Sequence, residues 1–163
     1  MKKIIISDCD GILTDGTSIY TQDGKIAKIY GSYDTEAIKS AVDNEIDFLF
    51  VSNDNNGWPI TKKRLDEYKN RGWCEYTLAT GKERKELVKK YKDEGYFVIF
   101  VGDSISDIPA GKEANLFCTT NNGFDEVKSE CYYASDRNGG NGGFAQIIYT
   151  VINYINDRAH EFV

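Results

Sequence analysis

Short apolar runs alternate with charged stretches of helical period along this chain. "KIIIS" (Lys3–Ser7) is almost continuously apolar, the pattern of a strand buried on both faces. "SIYTQDGKIAKIY" (Ser18–Tyr30) contains Asp23-Gly24 and predicts a β-hairpin turning at that dipeptide. "DTEAIKSAVDNE" (Asp34–Glu45) brings Ala37, Ile38, Ala41 and Val42 to one face, predicting a helix with Asp34 as its N-cap. "IDFLFVS" (Ile46–Ser52) is a second buried strand, followed by the loop "NDNNGWP" and a helix over about residues 60–70. "CEYTLA" predicts a third strand and the stretch from about Gly81 to Glu94 a helix. "YFVIFVGD" and "ANLFCTT" predict two further strands, and "GFAQIIYTVINYIND" from Gly143 a closing helix.

This alternation predicts an α/β fold, a Rossmann-like parallel sheet covered by helices on both faces. At 163 residues the chain is expected to be one domain (1–163), with the hairpin, about 17–31, projecting as a flap.

In such sheets ligands bind at the carboxyl ends of the strands. The residues just past those ends are Asp8 and Asp10, then Ser52 and Asn53, then Thr80 to Lys82, then Asp103 and Asp107. Carboxylates converging on one rim repel and stay ionised only beside a cation. An all-oxygen donor set without histidine or thiolate suits a hard ion, and Mg²⁺ is the usual one beside a phosphate. An aspartate can attack a phosphoryl group, and a second carboxylate two residues on can protonate the leaving oxygen and then activate water. Ser52 offers a hydroxyl for a phosphate oxygen, and Gly11 a sharp turn that aims backbone N–H groups inward. "TGKE" (Thr80–Glu83) matches a helix capping box, which puts Lys82 in the first helical turn at the rim, with Lys85 as the competing lysine.

Composition narrows the partners. A net charge of −6 disfavours a nucleic-acid role, and the lysines between Lys82 and Lys92 read as a solvated helix face. No signal peptide or membrane span fits the sequence. Cys9, Cys74, Cys118 and Cys131 form no C-x-x-C pair and read as reduced thiols of a cytoplasmic protein. The single histidine, His160, lies near the C-terminus, a poor place for a catalytic base.

Taken singly, each feature has a plainer explanation. Asp-x-Asp occurs in loops, Ser52 can cap a strand, "GDSISD" can be a turn and a helix cap, and Trp58 and Trp73 read as packing residues. The order of acidic, hydroxyl, lysine and acidic strand ends favours phosphoryl chemistry over that set of coincidences. A phospho-receiver domain uses similar residues, but its phosphorylated aspartate ends a middle strand, where this chain has Ser52.

Together these residues resemble the haloacid dehalogenase (HAD) superfamily of phosphotransferases. Its D-x-D-G-x-[ST] motif matches Asp8, Asp10, Gly11 and, with one extra residue, Thr14; its hydroxyl motif matches Ser52, and its G-D-x-x-x-D motif Gly102, Asp103 and Asp107. The resemblance implies Asp8 as nucleophile, Asp10 as acid/base, Lys82 as the motif lysine, and Mg²⁺ held by Asp8, the Asp10 backbone carbonyl and Asp103. "DGILTDG", the hairpin and "GGNGG" (Gly139–Gly143) are similar to the capless branch that includes the deoxy-octulosonate phosphate phosphatases. That likeness implies no separate cap domain and a homotetramer in which a neighbour helps close the site. Two arginines of the sugar-acid phosphatases are missing: one after the second strand, and one where Asn141 stands. Arg137 and Arg64 are left as candidates to meet a substrate carboxylate. The expected function is a Mg²⁺-dependent phosphomonoesterase acting through an aspartyl-phosphate on a small metabolite, such as a sugar or sugar-acid phosphate. The alternative is a non-catalytic assembly or regulatory module that keeps the fold.

Overall fold

The computed structural model describes residues 1–158; His160 lies outside the described residues. In chain order the elements are β1 (Lys2–Asp8), a hairpin of β2 (Ile19–Thr21) and β3 (Gly24–Ala27), α1 (Asp34–Asp43), β4 (Ile46–Ser52), α2 (Trp58–Lys69), β5 (Glu75–Leu78) and α3 (Gly81–Asp93). There follow β6 (Tyr96–Val101), a 3₁₀ turn (Ile105–Asp107), α4 (Ile108–Glu113), β7 (Leu116–Thr119), α5 (Asp125–Glu130), β8 (Tyr133–Ala134) and α6 (Gly143–Asp157).

Six strands form one parallel sheet in the order β5-β4-β1-β6-β7-β8. The apolar runs are continuous because both faces are covered. Ile5 packs with Ala37 and Ile38 of α1, Leu65 of α2 and Phe144 of α6, whereas Ile4 and Ile6 pack with Val88, Ala110 and Val127 of the three helices opposite. Phe48 and Phe50 stack at 5.7 Å and meet Phe144, filling the first of these layers. The chain leaves β1 for β4 on one side and later places β6 on the other. Strand order therefore reverses at the carboxyl end of β1, between Asp8 and the segment after β6.

Local details differ from the sequence expectation. Thr21 pairs with Gly24, so the hairpin turns on Gln22 and Asp23, one residue earlier than expected, with Gly24 opening the return strand. The two strands are short and form a sheet of their own. Asp34 is not the N-cap of α1; Tyr33 holds that position without a side-chain cap bond, and Asp34 is buried as the first helical residue. The short elements α4, α5 and β8 carry too few residues for a periodic signal. No described helix is long and apolar enough to cross a membrane.

Candidate active site

The site is built where β1 and β6 end. Asp8 closes β1, Asp103 follows β6, and Asp107 ends the 3₁₀ turn. Carboxylate oxygens of all three lie within 4.8 Å of one another. Asp107 is locked from one side, since its Oδ2 accepts from Ser104 Oγ at 2.8 Å, Ser104 N at 3.1 Å and Asp103 N at 3.2 Å. Asp8 Oδ1 accepts from the Cys9 N–H at 2.8 Å.

The cation in this cluster is Arg84. It is buried, donates from Nη2 to Asp8 Oδ1 at 3.1 Å, and pairs through Nη1 with Asp107 Oδ1. Lys82, expected in this place, is exposed, and Lys85 is half-buried. Helix geometry explains the correction. Thr80 caps α3 and Glu83 reaches back to it, completing the capping box. Arg84 then lies on the face of buried Val88, four residues on, which is turned to the sheet, while Lys82 points away. That shared face was the available signal: an arginine set on the inward stripe of its helix.

Burial raises the pKa of Asp8 well above the carboxylate range, and the charges of Asp107 and Asp103 add to this, whereas Arg84 and the Cys9 N–H oppose it. Asp103 is pushed up to about 7, by burial first and then by Asp107. A cluster that one guanidinium neutralises incompletely is an environment waiting for positive charge. The donors are all carboxylate oxygens, so the residues fit a hard divalent ion.

Gly11 serves this cluster by lacking a side chain. It has φ +81°, and a Cβ there would stand 1.8 Å from Asp103 Oδ2. Its N–H is not left to point at a ligand as expected; it donates to Thr14 Oγ1 at 3.2 Å. Its carbonyl accepts from Thr120 Oγ1 at 2.9 Å and Asn122 Nδ2 at 2.8 Å. Asn122 Oδ1 accepts in turn from Gly139 N at 2.7 Å, so the "GGNGG" segment props the aspartate loop from behind.

The Asp10 side chain turns away from the carboxylate cluster to Lys28, whose Nζ lies 2.7 Å from Asp10 Oδ1. Lys28 follows β3, and sequence reasoning passed over it because it sits in a surface hairpin. Ser52 ends β4 fully buried and accepts from Asp54 N at 3.1 Å; Asn53 beside it is exposed. Arg64 is spent elsewhere. It lies over the rings of Tyr68 and Tyr30 and donates to Glu67 Oε2 at 2.6 Å and Thr35 Oγ1 at 3.2 Å. Arg137 is exposed. All four cysteines are free thiols. Trp58 packs edge-on against Tyr76 and Trp73 stacks on Tyr68.

No family model matches the chain. Among curated proteins, it is 25% identical over 150 residues to the 3-deoxy-D-manno-octulosonate 8-phosphate phosphatase of Haemophilus influenzae, spanning 89% of this chain and 79% of that protein. A soluble P-type ATPase-like phosphatase of Methanocaldococcus jannaschii is 35% identical over 88 residues, which are 52% of this chain and 30% of that protein. The cobalt-bound structure of the Haemophilus influenzae phosphatase has a TM-score of 0.78 at 24% identity, covering 99% of this chain and 96% of that one. The corresponding phosphatase of Moraxella catarrhalis, in complex with magnesium, phosphate and KDO, has a TM-score of 0.81 at 21% identity over 99% and 94% of the two chains. In sequence and in fold the chain thus resembles the haloacid dehalogenase-type phosphatases, and among them the 3-deoxy-D-manno-octulosonate 8-phosphate phosphatases.

Proposed function

We propose that the chain is a Mg²⁺-dependent phosphomonoester hydrolase acting on a small phosphorylated metabolite of the sugar or sugar-acid phosphate class. One observation carries this reading: buried Asp8 and Asp107 share a carboxylate cluster with half-buried Asp103 at the strand-order reversal, with Asp10 on the adjoining loop. A carboxylate oxygen of Asp8 attacks phosphorus while the ester P–O bond breaks, and the leaving oxygen takes a proton from Asp10. Asp10 then accepts a proton from the water that attacks the aspartyl-phosphate, which releases phosphate and restores Asp8. Arg84 holds Asp8 in place and offsets charge in the cluster. Asp8, the Asp10 backbone carbonyl and Asp103 would hold Mg²⁺, with Asp107 in support; the bound ion would offset charge on the phosphoryl oxygens. Ser52 at the end of β4, Asn53 after it and Gly11 after β1 would meet the phosphate, with Lys82 in the first turn of α3 as the lysine the resemblance implies.

The relative with bound KDO supports a sugar-acid substrate; the commitment of Arg64 to Tyr30, Tyr68 and Glu67 leaves Arg137 as the candidate for its carboxylate. Exposed Ile19, Tyr20, Ile26 and Ile29 on and beside the flap support association of copies, with a tetramer as the form the resemblance implies. The free thiols fit a cytoplasmic location. The test is phosphate release from a panel of phosphorylated sugars, sugar acids and nucleotides, with Mg²⁺ and with chelator, beside Asp8→Asn. Release that requires Mg²⁺ and is abolished in Asp8→Asn is expected. No release from any compound by the folded protein with Mg²⁺ would move the reading to an assembly module.

A further inference from the structure

The burial of Lys28 has no part in the chemistry described so far. Its side chain has no solvent exposure, although it follows a flap strand that lies largely at the surface. An ammonium has three N–H donors, and here each finds an acceptor. They are the Asp10 carboxylate (2.7 Å to Oδ1, 2.9 Å to Oδ2), Asp54 Oδ2 at 2.8 Å and Thr61 Oγ1 at 2.8 Å. Gly57 makes room for the chain: a Cβ there would stand 2.6 Å from Lys28 Cε and 2.8 Å from its Nζ. Asp54 is itself fixed by Lys25 Nζ at 2.5 Å and Gly57 N at 3.0 Å.

Burial alone would lower the pKa of Lys28, but its bonds to Asp10 and Asp54 outweigh this and hold it above the ordinary lysine value. With its donors committed, the ammonium has none left for a phosphoryl oxygen. What it restrains is Asp10, whose side chain remains 29% exposed with Lys28 in place.

We propose that Lys28 is a positioning residue that orients the Asp10 carboxyl group, from the flap, for proton transfer to the leaving oxygen. This rests on the phosphatase reading above. Neutral Asp10 gives its proton to the leaving oxygen as the P–O bond breaks, the carboxylate this leaves is the one that pairs with the Lys28 ammonium, and Lys28 neither gains nor loses a proton. The flap thereby contributes to the chemistry through an ion pair.

The test compares leaving groups. Glucose 6-phosphate departs as a strongly basic alkoxide and needs the proton, whereas p-nitrophenyl phosphate departs as a weakly basic phenolate. The ratio kcat/KM reports the steps through P–O cleavage and omits the later hydrolysis common to both. In Lys28→Met, with Mg²⁺, kcat/KM for glucose 6-phosphate is expected to fall ~10–100-fold, and that for p-nitrophenyl phosphate by less than ~3-fold. Lys28→Arg keeps the charge and is expected to recover part of the loss. Equal losses for the two substrates, or none, would overturn the proposal and leave Lys28 a structural or purely electrostatic role. Circular dichroism of each variant separates these outcomes from misfolding, and a loss confined to glucose 6-phosphate in Lys28→Arg alone would also overturn the proposal. If the wild-type protein does not turn over glucose 6-phosphate, the best alkyl phosphate of the panel above takes its place; a wild-type protein that releases phosphate from no compound of that panel defeats the phosphatase reading itself, and the proposal with it.

Discussion

Asp8 carries its carboxylate where burial and two neighbouring carboxylates oppose ionisation, and Arg84 is the protein's own answer to that cost. The guanidinium bonds both Asp8 and Asp107, so its removal leaves two buried acids with less compensation. Breaking a buried pair by removing one partner typically costs ~3–5 kcal/mol, and protonation of the acids recovers part of it. Arg84→Met is therefore expected to lose ~2–4 kcal/mol of stability in metal-free urea unfolding. Added Mg²⁺ is expected to restore part of the loss, and the variant to bind the ion more tightly, because a competing positive charge is gone. An unchanged urea midpoint together with unchanged Mg²⁺ affinity would show that Arg84 does not neutralise the cluster.

At the scale of elements, the first turn of α3 decides which cation reaches Asp8. Thr80 and Glu83 satisfy each other's backbone N–H groups, and the resulting phase of the helix turns Arg84 inward. Arg84 also donates from Nε to the Ala79 carbonyl at 3.2 Å, tying the helix start to the end of β5. Thr80→Ala is expected to cost ~1 kcal/mol in chemical denaturation, the usual loss for a side-chain N-cap. A loss of no more than about 0.3 kcal/mol would mean that Glu83 and water satisfy the helix start unaided. The flap is secured differently, by Lys25 and Lys28 on Asp54 and Asp10, since its own two short strands cannot hold a position.

For the molecule as a whole, these acids make stability depend on pH in an unusual direction. Asp103 and Asp34 are both pushed up to about 7, by burial first; Asp107 adds to the effect at Asp103, and Arg64 opposes it at Asp34. A carboxyl whose pKa is higher folded than unfolded stabilises the fold fully below the unfolded value, near ~4, and loses that contribution as pH rises through the folded value. The metal-free protein is therefore expected to lower its Tm between pH 5 and pH 8, read by thermal melts in chelator. With Mg²⁺ the decline is expected to flatten, because the ion compensates ionised Asp103 while Asp34 still loses its share. A metal-free Tm that climbs over this interval would contradict the burial assigned to these groups. Much of this molecule is legible without coordinates. Continuous apolar runs such as Ile4–Ile6 and Phe48–Val51 report strands covered on both faces, and the positions of Asp8, Ser52 and Asp103 follow from where those runs end. These are local facts, set by the period of side chains along one segment. Which cation meets which acid was not local. Arg84 and Asp8 stand 76 residues apart and Lys28 and Asp10 stand 18 apart, and only the packing of α3 and the flap against the sheet brings them together. The same holds for Gly11, whose missing side chain acquires a reason only when Asp103 arrives from the neighbouring strand. The sequence by itself determined the strands and the acids at their ends, because burial leaves its period in the chain; the tertiary structure alone decided the pairing of charges, because that depends on contacts between distant segments.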